Sequence, residues 1–162
     1  MSKIITVNQN ELDKFEKLAL ASPRKRHLHM LHTSHEAHLH TMINTFTKGT
    51  YARPHRHYAY DNSGNLVQKG ESFVALRGSG KILSFDDAGN VVEVIRLDAS
   101  LQSMCWIPSQ VWHTVVPDSA IFTVYENKTG PWEEATDKCF HPLFPDENDQ
   151  ERLSFIEAWD KL

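Results

Sequence analysis

The sequence predicts an all-β barrel or sandwich with a helix on either flank, and three observations carry that expectation. Over about residues 26–126 the chain breaks into short apolar or alternating runs, the pattern of strands and not of long amphipathic helices. Clusters of Gly, Asn and Asp separate these runs, as hairpin turns require. Helical spacing of apolar residues occurs only outside this stretch, over about 9–21 and about 148–161.

The elements follow in order. Asn8 with Glu11 three residues later fits a helix N-cap and its return partner. Leu12, Phe15, Leu18 and Ala19 then form one apolar stripe, and Pro23 stops the helix. Strands are expected at Met42–Phe46, Ser72–Leu76, Gly80–Phe85, Val91–Leu97, Ser103–Ile107, His113–Val116 and Ile121–Tyr125. Asp61-Asn62-Ser63-Gly64-Asn65 and Asp86-Asp87-Ala88-Gly89-Asn90 are the clearest turns. Leu153, Ile156 and Trp159 recur on one face of the last helix. At 162 residues, the expectation is one domain spanning 1–162, with both helices packed on the β unit.

Composition narrows the function. Hydrophobic residues make up 40% and charged residues 23%, a globular balance. A net charge of −4 argues against a nucleic-acid partner, which calls for a basic face. The one basic run, Arg24-Lys25-Arg26, reads as a solvated helix exit. No segment approaches the roughly 20 apolar residues of a membrane span. The first residues turn polar too soon for a signal peptide, so the expectation is a cytoplasmic chain with Cys105 and Cys139 reduced. Histidine is the outlier, with 10 in all.

Two of these histidines, His55 and His57, sit at i and i+2, so on a strand both point to one face. Glu71 opens a later strand, and His113 opens another after the turn at Pro108. Here the sequence resembles the cupins. Gly49 with His55 and His57 matches the spacing of the first cupin motif, as do Glu71 and Gly78 relative to each other. Pro108 and His113 match the second motif, while Gln102, Gln110 and Pro117 replace its Gly, Gly and Asn. The 13 residues between His57 and Glu71 exceed the usual gap, and Tyr58–Gly70 is expected to form a protruding hairpin. More narrowly, the chain resembles the WbuC family of cupin-fold metalloproteins. The residues are Ser22-Pro23-Arg24, Gly49-Thr50-Tyr51, Arg53-Pro54-His55-Arg56-His57, Ala75–Val91, Ile107-Pro108, Trp112-His113-Thr114-Val115 and Gly130-Pro131-Trp132.

The resemblance implies a cupin double-stranded β-helix, or jelly-roll barrel, holding one divalent transition metal on His55, His57, Glu71 and His113. Glu93 and Glu126 are alternatives to Glu71. Imidazole and carboxylate donors suit Zn, Fe, Ni, Mn or Co without choosing among them. Family members often lie among genes for surface-polysaccharide synthesis. The expected function is therefore an enzyme of the isomerase, epimerase or oxygenase type, acting on a small polar molecule such as a sugar or sugar nucleotide. The other reading is a non-catalytic, metal-dependent binding or sensing module. Arg53, in phase with His55, and Arg77, in phase with Glu71, are candidate anion contacts; Tyr51 is a further pocket candidate. His27, His29, His32, His35, His38 and His40 are read as surface or interface residues. Cys105 is read as buried and inert, and the chain is expected to form a homodimer.

Overall fold

Asn8 starts the chain's first helix as its residues dictate: its side chain accepts from the amides of Asn10 and Glu11, and Glu11 returns a bond to the Asn8 amide. This helix, α1, spans Gln9–Ala21. A computed structural model describes residues 4–60, 63–101, 103–134 and 137–162. Met1 to Lys3, the Asp61-Asn62 part of the first turn cluster and Gln102 lie outside the described residues.

Among the described residues, twelve strands follow: β1 (Arg26–Met30), β2 (Leu39–Thr47), β3 (His55–Arg56), β4 (Ala59–Tyr60), β5 (Leu66–Val67) and β6 (Glu71–Arg77) come first. Then come β7 (Ser79–Phe85), β8 (Val91–Asp98), β9 (Met104–Ile107), β10 (Trp112–Pro117), β11 (Ile121–Thr129) and β12 (Cys139–Phe140). Helix α2 spans Arg152–Asp160. Two five-stranded antiparallel sheets form, ordered β1-β2-β11-β6-β9 and β12-β3-β10-β7-β8. Neighbours in space are distant in sequence, as a double-stranded β-helix requires.

The inner faces of the two sheets bury Phe46, Phe73, Ile82, Leu97, Phe122 and Val124 as one core. Strand alternation places them: on β6, Glu71, Phe73 and Ala75 are buried while Ser72 and Val74 are half-covered. Helix α1 lays Leu12 and Phe15 against Ile43 of β2, and Tyr125 packs beside them. Tyr51, Phe85, Trp112, Phe144 and Trp159 form a third cluster, joining α2 to the second sheet. Gly78 makes the turn from β6 to β7 at φ +70, where a Cβ would lie 2.0 Å from the carbonyl oxygen of Ile121.

Three departures from the sequence-based expectation have local causes. Helix α2 begins at Arg152 instead of about residue 148. Asp146 and Asp149 accept from the amides of Asn148 and Glu151 and hold that stretch in turns. β3 and β12, at two residues each, are too short to show a period. Arg77 does not share the face of Glu71. Arg77 pairs with Thr123 and Ala75 with Val124, so a bulge at Leu76 turns Arg77 to the outer face. There its guanidinium binds Asp13 at 2.7 Å and also Glu16, both on α1.

Phe122 has no exposed surface. Phe122→Ala is expected to cost about 3–5 kcal/mol, read as a lower denaturant midpoint in urea unfolding.

Candidate metal centre

His55 and His113 face each other across β3 and β10 as direct register partners. His57 lies just past β3, where its carbonyl accepts from the Gln110 amide and the Ser109 hydroxyl. That contact fastens the first histidine pair to the turn before His113. Gln110 occupies the left-handed region, at φ +71, so the turn keeps a backbone form that glycine adopts more readily. Glu71 enters from the opposite sheet at the start of β6. The Tyr58–Gly70 insertion does fold as a hairpin, with β4 paired to β5. Its base is fixed by Lys69 Nζ donating to the Pro131 carbonyl at 2.8 Å and by the Thr129 amide donating to Gly70 at 3.2 Å. The long gap therefore leaves Glu71 beside the histidines.

The four side chains are buried, and one ligand-type atom from each lies within 4.8 Å of the others. His57 Nε2 is 3.4 Å from Glu71 Oε2, and His113 Nε2 is 2.5 Å from Glu71 Oε1. The Nδ1 atoms point the other way. His55 Nδ1 bonds the Arg53 carbonyl at 3.0 Å, His57 Nδ1 that of Asp137 at 2.5 Å and His113 Nδ1 that of Val111 at 2.9 Å. A carbonyl only accepts, so each Nδ1 carries a proton, and in the neutral ring Nε2 then keeps its lone pair for the cluster. His57 Nε2, His113 Nε2 and Glu71 Oε1 are buried and lack an aligned hydrogen-bond partner, despite the close approach to one another. Orphaned polar atoms of this kind are costly in a protein interior. A divalent cation would answer all of them, and the donor set suits one. Burial, with the Lys138 ammonium second, holds His55 well below the usual imidazole range. Burial pushes the Glu71 carboxyl up, but the neighbouring His57 and His113 outweigh it and hold it well below the usual carboxylate range.

The cluster borders a cavity of about 390 Å³ bounded at its edges by β1 and β12. Phe46, Phe73 and Val115 supply apolar wall, and Asn44, Glu126 and Lys138 supply polar groups. Asn44 donates to Glu126. Burial, then the charge of Glu71, pushes the Glu126 carboxyl up to about 7. Glu126 thus lines the cavity outside the four-residue group, and Glu93 lies on β8, 3.5 Å from the Ser84 hydroxyl. Arg53 lines the same cavity. Tyr51 does not: its ring stacks on Trp159 and its hydroxyl donates to the Pro145 carbonyl. Arg77 is held at α1, as described above.

The histidine-rich segment is structural in the described residues. His27 and His29 pack on Phe15, His32 stacks on His40 and His35 lies against Trp132. Among the described residues, no metal-type group includes any of them. Asp137, whose carbonyl orients His57 and whose carboxylate takes Lys128 at 2.6 Å, was not foreseen. A lone acid in a coil segment carries no spacing signal, and its useful atom belongs to the backbone.

Two antiparallel sheets with flanking helices give the chain a cupin-like double-stranded β-helix fold, with a buried three-histidine, one-glutamate cluster inside it. The chain belongs to the family described as a domain of unknown function, DUF6016, whose profile matches residues 7–97. Among curated proteins, none matches the sequence. Among solved structures, it is similar to an uncharacterized conserved protein with a double-stranded β-helix domain from Klebsiella pneumoniae. The identity is 9%, covering 87% of this chain and 98% of that one, with a TM-score of 0.58. It is also similar to the capsular polysaccharide assembling protein CapF from Staphylococcus aureus, at 15% identity over 70% of this chain and 32% of that one, with a TM-score of 0.50. An RmlC-like cupin protein from Desulfovibrio desulfuricans aligns at 16% identity over 78% of this chain and 97% of that one, with a TM-score of 0.49.

Burial pushes the Cys105 thiol up to about 11. At pH 8 its thiolate fraction is then about 100-fold below that of a thiol with a pKa near 9. Alkylation by iodoacetamide, followed by mass spectrometry, is expected to label Cys105 correspondingly slowly in the folded chain.

Proposed function

We propose that the chain is a cupin metalloprotein of the WbuC type that binds one divalent transition-metal ion through His55, His57, Glu71 and His113. On this reading it is an enzyme acting on a small polar molecule such as a sugar or sugar nucleotide of polysaccharide metabolism. One observation carries the metal: three imidazoles spend their Nδ1 protons on backbone carbonyls while unpartnered Nε2 and carboxylate atoms converge. Zn, Fe, Ni, Mn and Co all suit these donors. When bound, such an ion supplies Lewis-acid polarisation of a carbonyl or hydroxyl, or a more acidic water.

The chain's own residues support the rest. The adjoining cavity has the size of small-molecule sites, with apolar wall and few polar groups. Glu126 is placed on that wall to hold or exchange a proton with a bound hydroxyl. Phe46 and Phe73 exclude water from one side. The WbuC-like motifs, from Ser22-Pro23-Arg24 to Gly130-Pro131-Trp132, support a polysaccharide-related substrate. A homodimer belongs to the same reading, supported by exposed Leu28, Met30 and Leu39 near the β1 edge. A cytoplasmic location is supported by two free cysteines.

Metal analysis of protein purified without a polyhistidine tag is expected to give one equivalent per chain, and a chelator is expected to lower the melting temperature. His57→Ala and Glu71→Gln should each reduce the bound metal at least tenfold at limiting supply. Substoichiometric, chelator-insensitive metal would overturn the assignment. For the reaction, nucleotide sugars are supplied to protein loaded with each ion, and turnover of at least one is expected. Light scattering is expected to give twice the chain mass.

A further inference from the structure

The metal-side cavity does not end at its own wall. A second cavity of about 640 Å³ adjoins it, and Arg24, Arg53, Phe140 and Glu147 line both. The outer cavity lies between the exit of α1 and the start of α2, over Tyr51, Leu153 and Ile156. The chain as a whole is acidic, at −4, but these two spaces are not. Among the described residues, seven of its 17 lysines and arginines line them, against four of its 21 carboxylates. A concave site lined by one sign of charge concentrates the opposite charge.

The pairings leave cationic capacity over. Glu147 takes both Arg24 and Arg26. Among the described residues, Lys25 and Arg152 have no carboxylate partner. Arg53 stands at the junction. Its guanidinium lies 5.2 Å from the centre of the Phe140 ring and donates to the His141 carbonyl at 3.3 Å. Its nearest carboxylate, Asp146, is 3.7 Å away and 67% exposed. Its Nε is buried without a partner. The backbone carbonyl of the same residue holds His55 Nδ1. One residue therefore orients a metal-type histidine and presents an underused guanidinium to the junction.

We infer that the ligand of this protein is an anion, with its phosphate or carboxylate group bound by Arg53 at the junction and neutralised by Lys25 and Arg152 in the outer cavity. The rest of the ligand lies in the inner cavity, so the inference rests on the reading of that cavity as the ligand site. A planar guanidinium bonds such an oxyanion with two parallel hydrogen bonds. A neutral sugar gains none of this.

Isothermal titration calorimetry of glucose 1-phosphate, glucuronate and glucose into the full chain, metal-free and zinc-loaded, tests it. At least one anionic probe is expected to bind tenfold or more tightly than glucose in both forms. The phosphate and carboxylate arms then show which oxyanion is favoured. Arg53→Gln should remove most of that advantage, and Arg96→Gln on β8 should leave it intact. Should Arg53→Gln melt far below the wild type, Lys25→Gln/Arg152→Gln replaces it, with an expected loss of about threefold. Equal binding of glucose and the anions, no binding of any probe, or an advantage that survives these substitutions would overturn the inference. Because the advantage is read without metal, failure of zinc to bind sinks the metal assignment alone. Normal zinc loading without an anionic advantage sinks only this inference.

Discussion

The hydrogen bonds from three histidine Nδ1 atoms to backbone carbonyls are what the centre depends on. Each fixes a ring's tautomer and its rotation, and each acceptor comes from a different part of the chain. Arg53 sits two residues before His55 at the start of β3, Val111 closes the turn before β10 and Asp137 belongs to the segment after β11. Backbone acceptors of this kind are rigid because the strands around them are paired. The β3–β10 register therefore sets the separation of His55 and His113, and the Gln110–His57 bond sets where the third ring enters. Glu71 is delivered by the other sheet, so the distance across the core determines whether four donors meet at all.

That arrangement explains why both helices matter to a site neither of them touches. α1 clamps the outer face of β2 and takes Arg77, which keeps β6 in place at the end opposite Glu71. α2 and the segment before it cover the back of β10 through Trp159 and Phe144 and supply Glu147 to Arg24 and Arg26. The result is a pair of adjoining cavities lined by more cations than carboxylates, in a chain whose overall charge is negative.

Much of this was legible in the sequence where signals were local. Strand alternation placed His55 and His57 on one face, and Asn8 with Glu11 marked the start of α1. The turn-rich insertion before Glu71 announced its own hairpin. Gln110 shows the limit of motif matching: the glycine is absent, yet the backbone takes the left-handed form that a glycine would adopt more readily. What stayed hidden was non-local. The bulge at Leu76 reverses Arg77 although its spacing from Glu71 is even, because a bulge leaves no mark on side-chain periodicity. Asp137 and Arg53 act through backbone carbonyls that accept from His57 and His55, which side-chain identity cannot reveal. Arg24 and Lys25, read as a solvated helix exit, instead border a cavity whose other wall comes from the far end of the chain.

The bond between His57 and Asp137 joins residues 80 positions apart, and the Asn44–Glu126 contact spans 82. Such separations make a fold slow to nucleate, because loop closure is costly before the contacts reward it. They also order events during synthesis. His55, His57 and Glu71 emerge from the ribosome well before β10 and β11, so early in translation the donors exist without a centre. Only after Asp137 has been made can the His57 ring be locked, so the four-residue cluster is completed late, once β11 has already been made.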